Sequence, residues 1–372
     1  KLSKKIKCLI ITFVSVTKFI SKEKYYELIN QIKDIERNHK IKIILLPFLT
    51  DIYTIYILGP FFSLILSFYF TLIEKILRKK YMVYIRLSPL AFGFLINPLF
   101  SQRTFVKIPS IIEEDVLNNV SKKILRIFSI LYDKIALVKA EYIVSHSPLL
   151  YKHLLLRCKV ERVHNVLIIP PSIDLKVFNQ LQLINKNSNS NQVCFIGSLA
   201  WWQGVDIIVL ALYILKHKGI NLKLRIIGDG PFRKVIEKLC QKYGIECEIT
   251  GFVSRARALR LLSECSALVL PRRKTLTTES VVPIKVVEAM SLGVPVIITN
   301  HEVLSIYGLR DGYNVLTCEP KPKSVAESIF KLISSEQLKN KIKVNGKELA
   351  KKFDSSLTSK KIYKIIIQNE DF

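Results

Sequence analysis

The chain has 372 residues, 49% of them hydrophobic, which is ample for two buried cores, and a formal net charge of +27. Residues 1–191 hold 29 Lys and Arg against 13 Asp and Glu, a surplus of 16, and residues 192–372 hold 28 against 17, a surplus of 11. So basic a balance calls for an anionic partner (nucleic acid, an acidic membrane surface or a phosphorylated ligand), but no RNP-like aromatic motif, zinc finger or basic heptad run occurs, which makes nucleic acid the weaker choice.

The opening K-L-S-K-K-I-K-C-L-I-I-T-F-V reads as a basic start into a first β-strand rather than as a signal peptide, because no small-residue cleavage site follows. I-K-I-I-L-L-P, M-V-Y-I-R-L, T-F-V-K-I and Y-I-V-S-H-S read as further strands separated by helical stretches. Residues 52–73 carry no charge and are long enough to span a bilayer. Gly59-Pro60 is expected to break that segment, leaving residues 61–73 as continuous helix before Glu74. The expectation is a core helix, or an in-plane membrane-contact helix rich in Phe and Tyr with the basic end K-I-L-R-K-K, rather than a span. V-L-I-I-P-P-S-I-D closes this half, and L-I-N-K-N-S-N-S-N-Q reads as a polar linker. The expected division is a first domain over 1–180, a linker over 181–192, a second domain over 193–350 and a C-terminal helix over 351–372.

Strand and helix signals alternate through the second half. V-C-F-I-G-S, L-K-L-R-I-I-G, E-C-E-I-T-G, A-L-V-L-P, P-V-I-I-T-N and N-V-L-T-C-E are the strands, and helices are expected over 204–218, up to 243 and from 283. This repetition predicts an α/β fold with a doubly wound parallel sheet. Eleven of the thirteen glycines lie at or beyond residue 197, so close backbone approach to a ligand is expected there. F-I-G-S-L-A-W-W-Q-G-V-D (195–206) and I-I-G-D-G-P (226–231) are strand-to-helix glycine turns of the kind that aim backbone N–H groups at an anion. The seven cysteines are scattered without metal spacing and read as reduced core thiols of a cytoplasmic protein; no metal site is evident.

The stretch E-S-V-V-P-I-K-V-V-E-A-M-S-L-G (279–293) places Lys285 and Glu288 on one helix face just behind a proline. Taken alone, the pair is either an exposed intrahelical salt bridge worth about 0.2–0.5 kcal/mol or two ligand hooks at a helix N-terminus. In the first half, Glu113 belongs to I-P-S-I-I-E-E-D, which also reads as a helix start capped by Ser110. Arg86 ends a strand and is either a cleft residue or a solvated strand end, and His146 in V-S-H-S is either a catalytic group or a satisfied domain-edge histidine.

In order and spacing, A-E-Y-I-V-S-H-S, I-P-P-S-I-D-L-K-V-F, G-S-L-A-W-W-Q-G-V-D, I-I-G-D-G-P, T-G-F-V, P-I-K-V-V-E-A-M-S-L-G-V-P-V-I and D-G-Y-N-V-L resemble the retaining glycosyltransferases of family 4, over residues 140–350 most clearly. The resemblance implies the GT-B fold, two Rossmann-like domains facing a cleft, with a nucleoside-diphosphate sugar as donor and no further cofactor or metal. It implies that Lys285 neutralises the departing diphosphate, Glu288 grips the ribose, and Gly197, Ser198, Gln203, Gly204, Gly228, Phe252, Arg272, Glu279, Ser280 and Ile284 line the donor site. Arg86, Glu113 and His146 become acceptor-side candidates. Three positions depart from the family pattern: Ser198 and Gln203 stand where Arg and Lys are common, and Ser280 where the first glutamate of the E-x7-E motif falls, with Glu279 one residue early. The resemblance also implies a C-terminal helix that returns to the first domain. The basic first half and the apolar 52–73 segment suggest a glycan or lipid-linked acceptor at an anionic membrane, with the protein peripheral on the inner face. A degenerate binding subunit and a nucleic-acid-binding protein are the rival readings.

Overall fold

A computed structural model describes residues 9–15, 42–48, 52–77, 83–86, 91–108, 110–111, 120–161, 165–182 and 191–368. The chain divides into two compact units, Lys1–Ser145 with Tyr151–Ile168 and Ser359–Phe372, and His146–Leu150 with Ile169–Thr358.

In the first unit, β1 (Leu9–Ser15) and β2 (Lys42–Phe48) pair in parallel, Leu9 opposite Lys42. Then come α1 (Ile52–Leu77), β3 (Val83–Arg86), α2 (Phe92–Ile96), α3 (Pro98–Ser101), β4 (Thr104–Ile108), α4 (Val120–Lys139), β5 (Tyr142–Ser145), α5 (Pro148–Cys158) and β6 (Val166–Ile168). Strands β3 to β6 form a parallel sheet in sequence order. Its central strands are buried, with Phe105, Val106, Ile108, Ile143 and Val144 in the core, the near-continuous apolar pattern of a sheet covered on both faces. Helix α1 does not break at Gly59-Pro60: it runs unbroken for 26 residues with Pro60 inside it. A proline removes one i→i−4 bond while the flanking turns keep theirs. Here Pro60 is buried and its carbonyl accepts a bond from Ser63 Oγ (2.9 Å).

The second unit begins earlier than the sequence suggests. Residues 169–180, expected to end the first domain, and 181–182, expected to begin the linker, pack with the second unit: Ile173 forms a parallel bridge with Asp354, Phe178 is 1% exposed in the second core, and α6 (Leu175–Gln182) packs on the helix that carries Lys285. Of the expected linker, residues 183–190 lie outside the described residues, as does Glu113. Then follow β7 (Gln192–Ile196), α7 (Val205–His217), β8 (Lys223–Ile227), α8 (Arg233–Tyr243), β9 (Cys247–Ile249), α9 (Arg255–Ser263), β10 (Ala267–Leu270), α10 (Leu276–Ser280), α11 (Ile284–Leu292), β11 (Val296–Thr299), α12 (Val303–Ile306), β12 (Leu316–Cys318), α13 (Pro322–Ile333), α14 (Glu336–Ala350) and α15 (Ser355–Gln368). From Ser359 onward α15 belongs to the first unit, where Lys361 Nζ donates to the Ile168 carbonyl (3.2 Å).

The six strands are all parallel, in the order β12-β11-β10-β7-β8-β9. Numbered from β7 this is the Rossmann order, in which chain direction across the sheet reverses between β7 and β10. Ligands of open α/β sheets bind beyond the carboxyl ends of the strands at that switch point. The residues that follow β7 and β10 are Gly197 and the run Pro271-Arg272-Arg273.

Candidate active site

At the switch point the chain turns tightly. Gly197 leaves β7 with φ +133°, a conformation that L side chains rarely adopt. A Cβ there would lie 2.8 Å from Lys285 Nζ, so the missing side chain is the space that the ammonium occupies. Gly228 occupies the matching turn after β8, backed against the Gly197 carbonyl, and Gly204 starts α7 against the Pro271 carbonyl.

Lys285 is the second residue of α11 and reaches across to this turn. Its Nζ donates to the Ile196 carbonyl (2.8 Å) and to Gln203 Oε1 (3.2 Å) and lies 4.5 Å from the Phe195 ring centroid. All three neighbours are uncharged. Burial, and then the charge of Arg272, push the Lys285 pKa well below the ordinary lysine value, while Glu288 acts the other way. Arg272 is 5% exposed, with its guanidinium 5.0 Å from the Trp202 ring centroid. Two cations thus converge at the carboxyl ends of β7 and β10, beside the N-terminus of α11, whose unpaired N–H groups add positive potential.

The intrahelical Lys285–Glu288 salt bridge, the first of the two readings of this pair, does not form. Glu288, one turn further on, accepts instead from Arg255 Nη2 at the start of α9 (2.8 Å). The carboxylate is 8% exposed, and burial raises its pKa against the opposing pull of Arg255 and Lys285. The Arg255 side chain is 65% exposed, so this partner is free to swing away and leave two carboxylate oxygens as acceptors.

The remaining donor-side candidates separate. Ser198, next to Gly197, Ile284, at the start of α11, and Phe252, after β9, are all exposed, Phe252 at 84%. Gln203 is buried and committed to Lys285. Ser280 points away: its hydroxyl donates to the Leu276 carbonyl (2.5 Å), and its own carbonyl accepts from Ser147 Oγ. Glu279 is not a solvated loop carboxylate. Its Oε2 accepts from the Glu302 amide (2.9 Å) and its Oε1 lies 3.3 Å from His301 Nδ1, outside good hydrogen-bond geometry.

On the acceptor side, Arg86 is exposed at the end of β3 in the first unit. His146 sits in the second unit, where its Nδ1 is 3.0 Å from the Ile169 carbonyl and its own carbonyl accepts from the Tyr307 hydroxyl. These bonds are those of a satisfied domain-edge histidine.

Sequence reasoning missed three groups. Arg255 lies 33 residues from Glu288, beyond any local pattern. Asp206 holds Arg273 (2.6 Å), which in turn lies over Trp201 at 4.6 Å. His301 is 2% exposed, its Nε2 has no hydrogen-bond partner among the described residues, and burial pushes its pKa down to about 4 against the pull of Glu279. Its position just after β11, at the carboxyl edge of the sheet, was the available signal. Among the described residues no group of three His, Cys, Asp or Glu side chains could hold a metal ion.

Comparison with known proteins agrees with this geometry. The family model described as glycosyl transferases group 1 matches residues 178–349. An uncharacterized glycosyltransferase of Methanocaldococcus jannaschii is 32% identical over 174 residues, 46% of each chain, and the chain spans about half the length of the curated relatives it matches. Among solved structures, sucrose-phosphate synthase from Thermosynechococcus elongatus has a TM-score of 0.70 at 14% identity, covering 97% of this chain and 100% of its own. Anabaena HepE, solved in complex with UDP, has a TM-score of 0.66 at 14% identity, covering 98% and 100%. The chain therefore has the GT-B fold of two Rossmann-like units, and residues 178–349 of its second half match the glycosyl transferases group 1 model.

Proposed function

We propose that the protein is a retaining glycosyltransferase that takes a sugar from a nucleoside-diphosphate sugar and passes it to a glycan or lipid-linked acceptor. The observation that carries this reading is the Lys285 ammonium, buried at the switch point on uncharged acceptors beside Arg272. The negative charge that acts on it is Glu288, a helical turn away and already paired with Arg255, which is less than a diphosphate supplies. In the reaction the bond from the sugar's anomeric carbon to the diphosphate oxygen breaks and negative charge grows on that oxygen. Lys285, Arg272 and the α11 N-terminus would meet it there without reorganising. Glu288 would exchange Arg255 for the ribose hydroxyls, a contact made equally in ground and transition states. The UDP bound by the Anabaena structure supports a nucleotide ligand at this fold. The reading places the protein on the cytoplasmic side, peripheral to the inner membrane face, with no metal and no nucleic acid as partner.

A panel of UDP-, GDP- and ADP-sugars in a thermal-shift assay tests it. A true donor stabilises the chain by about 2.7 kcal/mol at 100-fold excess over its Kd, and slow hydrolysis of the same sugar nucleotide shows transfer to water. No shift with any of them overturns the proposal. Ser280, whose hydroxyl turns inward, favours one second reading, a subunit that binds the sugar nucleotide without transferring. Stabilisation without any hydrolysis or transfer would select it.

A further inference from the structure

Helix α1 is built inside out. Its polar positions Ser63, Ser67, Thr71 and Glu74 recur every three or four residues and therefore share one face. That face is turned inward. Ser63 Oγ accepts from the Gly93 amide (2.8 Å), Asn97 Nδ2 donates to Ser67 Oγ (3.3 Å) and Thr71 Oγ1 (3.1 Å), and Glu74 pairs with Arg103 (3.0 Å). The fit is close: a Cβ on Gly93 would meet the Leu64 amide nitrogen at 2.1 Å, so α2 and α1 touch backbone to backbone.

The opposite face carries Leu58, Phe61, Ile65, Phe68, Leu72 and Ile76, spaced by three and four residues and exposed by 54%, 67%, 69%, 61%, 55% and 68%. On α4, which packs beside α1, Ile127, Leu131 and Val138 add an exposed row with the exposed Lys134 among them. A surface helix of a soluble domain shows the reverse polarity. An apolar face of this extent marks an interaction site.

We propose that this face of the first unit docks flat on an anionic lipid bilayer, with the α1 side chains entering the headgroup–acyl boundary. Charge selects the occupant. Residues 52–73 hold no charge, and Lys75, Arg78, Lys79 and Lys80 follow at once, so an apolar stripe ends in a basic run, as interfacial helices on acidic lipid do. The first half of the chain carries the larger basic surplus, 16 against 11. A second copy of the chain would bring that same positive run against itself. A transmembrane position for α1 would pull the Ser63, Ser67 and Asn97 network away from the domain it clamps. The inference stands on α1 and does not depend on the transfer reaction.

Flotation of the full chain with vesicles of neutral phosphatidylcholine, and of the same lipid with a third phosphatidylglycerol, tests the proposal. Binding should favour the anionic vesicles and weaken with salt, because exposed charges are screened beyond about 10 Å at 0.1 M. The double variant Ile65→Gln/Phe68→Gln should lose at least 10-fold in partitioning, because each apolar side chain withdrawn from the boundary contributes on the order of tenfold. Phe330→Gln, an exposed aromatic on α13 in the second unit, should bind as the unaltered protein does. Both variants should keep the unaltered melting temperature. Equal partitioning of the double variant would overturn the proposal. So would a dimer in sedimentation velocity that dissociates in the double variant while vesicles are ignored, and so would a membrane fraction released only by detergent at high salt and alkaline pH.

Discussion

Replacing Lys285 by methionine keeps the length of the side chain and removes its charge. In the folded, ligand-free protein the change withdraws a donor from the Ile196 carbonyl and Gln203 Oε1. An unsatisfied buried acceptor costs about 1–3 kcal/mol. Against this, the variant no longer desolvates an ammonium beside Arg272, which is what holds the lysine pKa low. The two terms oppose, and net stability should stay within about 2 kcal/mol of the unaltered protein. Donor turnover has no such compensation. Removing one preorganised contact to developing charge costs about 3–4 kcal/mol, on the order of 100- to 1000-fold in kcat. The pH dependence separates this account from a packing defect. A lysine whose folded pKa lies below its unfolded value lets the unfolded chain hold more protons between the two, so stability rises with pH across that window. Lys285→Met should abolish that rise. A bound diphosphate should restore the lysine's pKa. Calorimetry in mildly alkaline buffers of different ionisation enthalpy should therefore show proton uptake on nucleotide binding, and none in the variant. Kinetics on the best donor from the panel, urea melts and calorimetry are the assays. Unchanged kcat/KM with unchanged proton uptake would refute the role of Lys285 as a phosphate contact.

Four further outcomes are expected. Glu288→Ala should raise KM for the donor with little change in kcat, the mark of a contact held in both states. Because burial raises the Glu288 pKa, its ionisation costs stability as pH climbs above the ordinary carboxylate range, and Glu288→Gln should remove that fall in urea melts. His301→Gln should flatten an acid-side loss of stability: with a folded pKa of about 4 against 6.5, the unfolded chain takes up the proton first, so stability falls from pH 6.5 down to about 4 by at most about 3 kcal/mol. Gly197→Ala should cost about 1–3 kcal/mol in backbone strain at φ +133° and weaken nucleotide affinity by displacing the Lys285 ammonium, both readable in thermal shifts with and without UDP.

The second unit was legible because most of its strands are short, largely apolar runs bounded on one side by a glycine or proline. The reading V-C-F-I-G-S became Gln192–Ile196, A-L-V-L-P became Ala267–Leu270, and P-V-I-I-T-N became Val296–Thr299. Helix α10 falls between the strand A-L-V-L-P and the helix expected from 283, where the sequence pattern offers no helix. Its five residues have no apolar period and are held by a local capping box between Thr275 and Thr278. The break at Gly59-Pro60 failed because local helix propensity counts one lost hydrogen bond, whereas the clamp to α2 and Asn97 acts over 30 residues. The same limit hid Arg255 and His301. Each depends on which loops a sheet brings to one edge, and strand order is a property of the whole unit.

Both tryptophans of the chain stand at the candidate site, Trp201 under the Arg273 guanidinium and Trp202 under that of Arg272. Each indole is half of a stacked cation pair. An arriving phosphate that draws the guanidinium toward itself alters the electric field on the ring and with it the emission wavelength. On the proposed function, the protein would carry its own optical reporter of occupancy, with no competing indole elsewhere in the chain. Titration with a sugar nucleotide can be followed by intrinsic fluorescence, and stopped-flow mixing can resolve donor capture from any later step without a label.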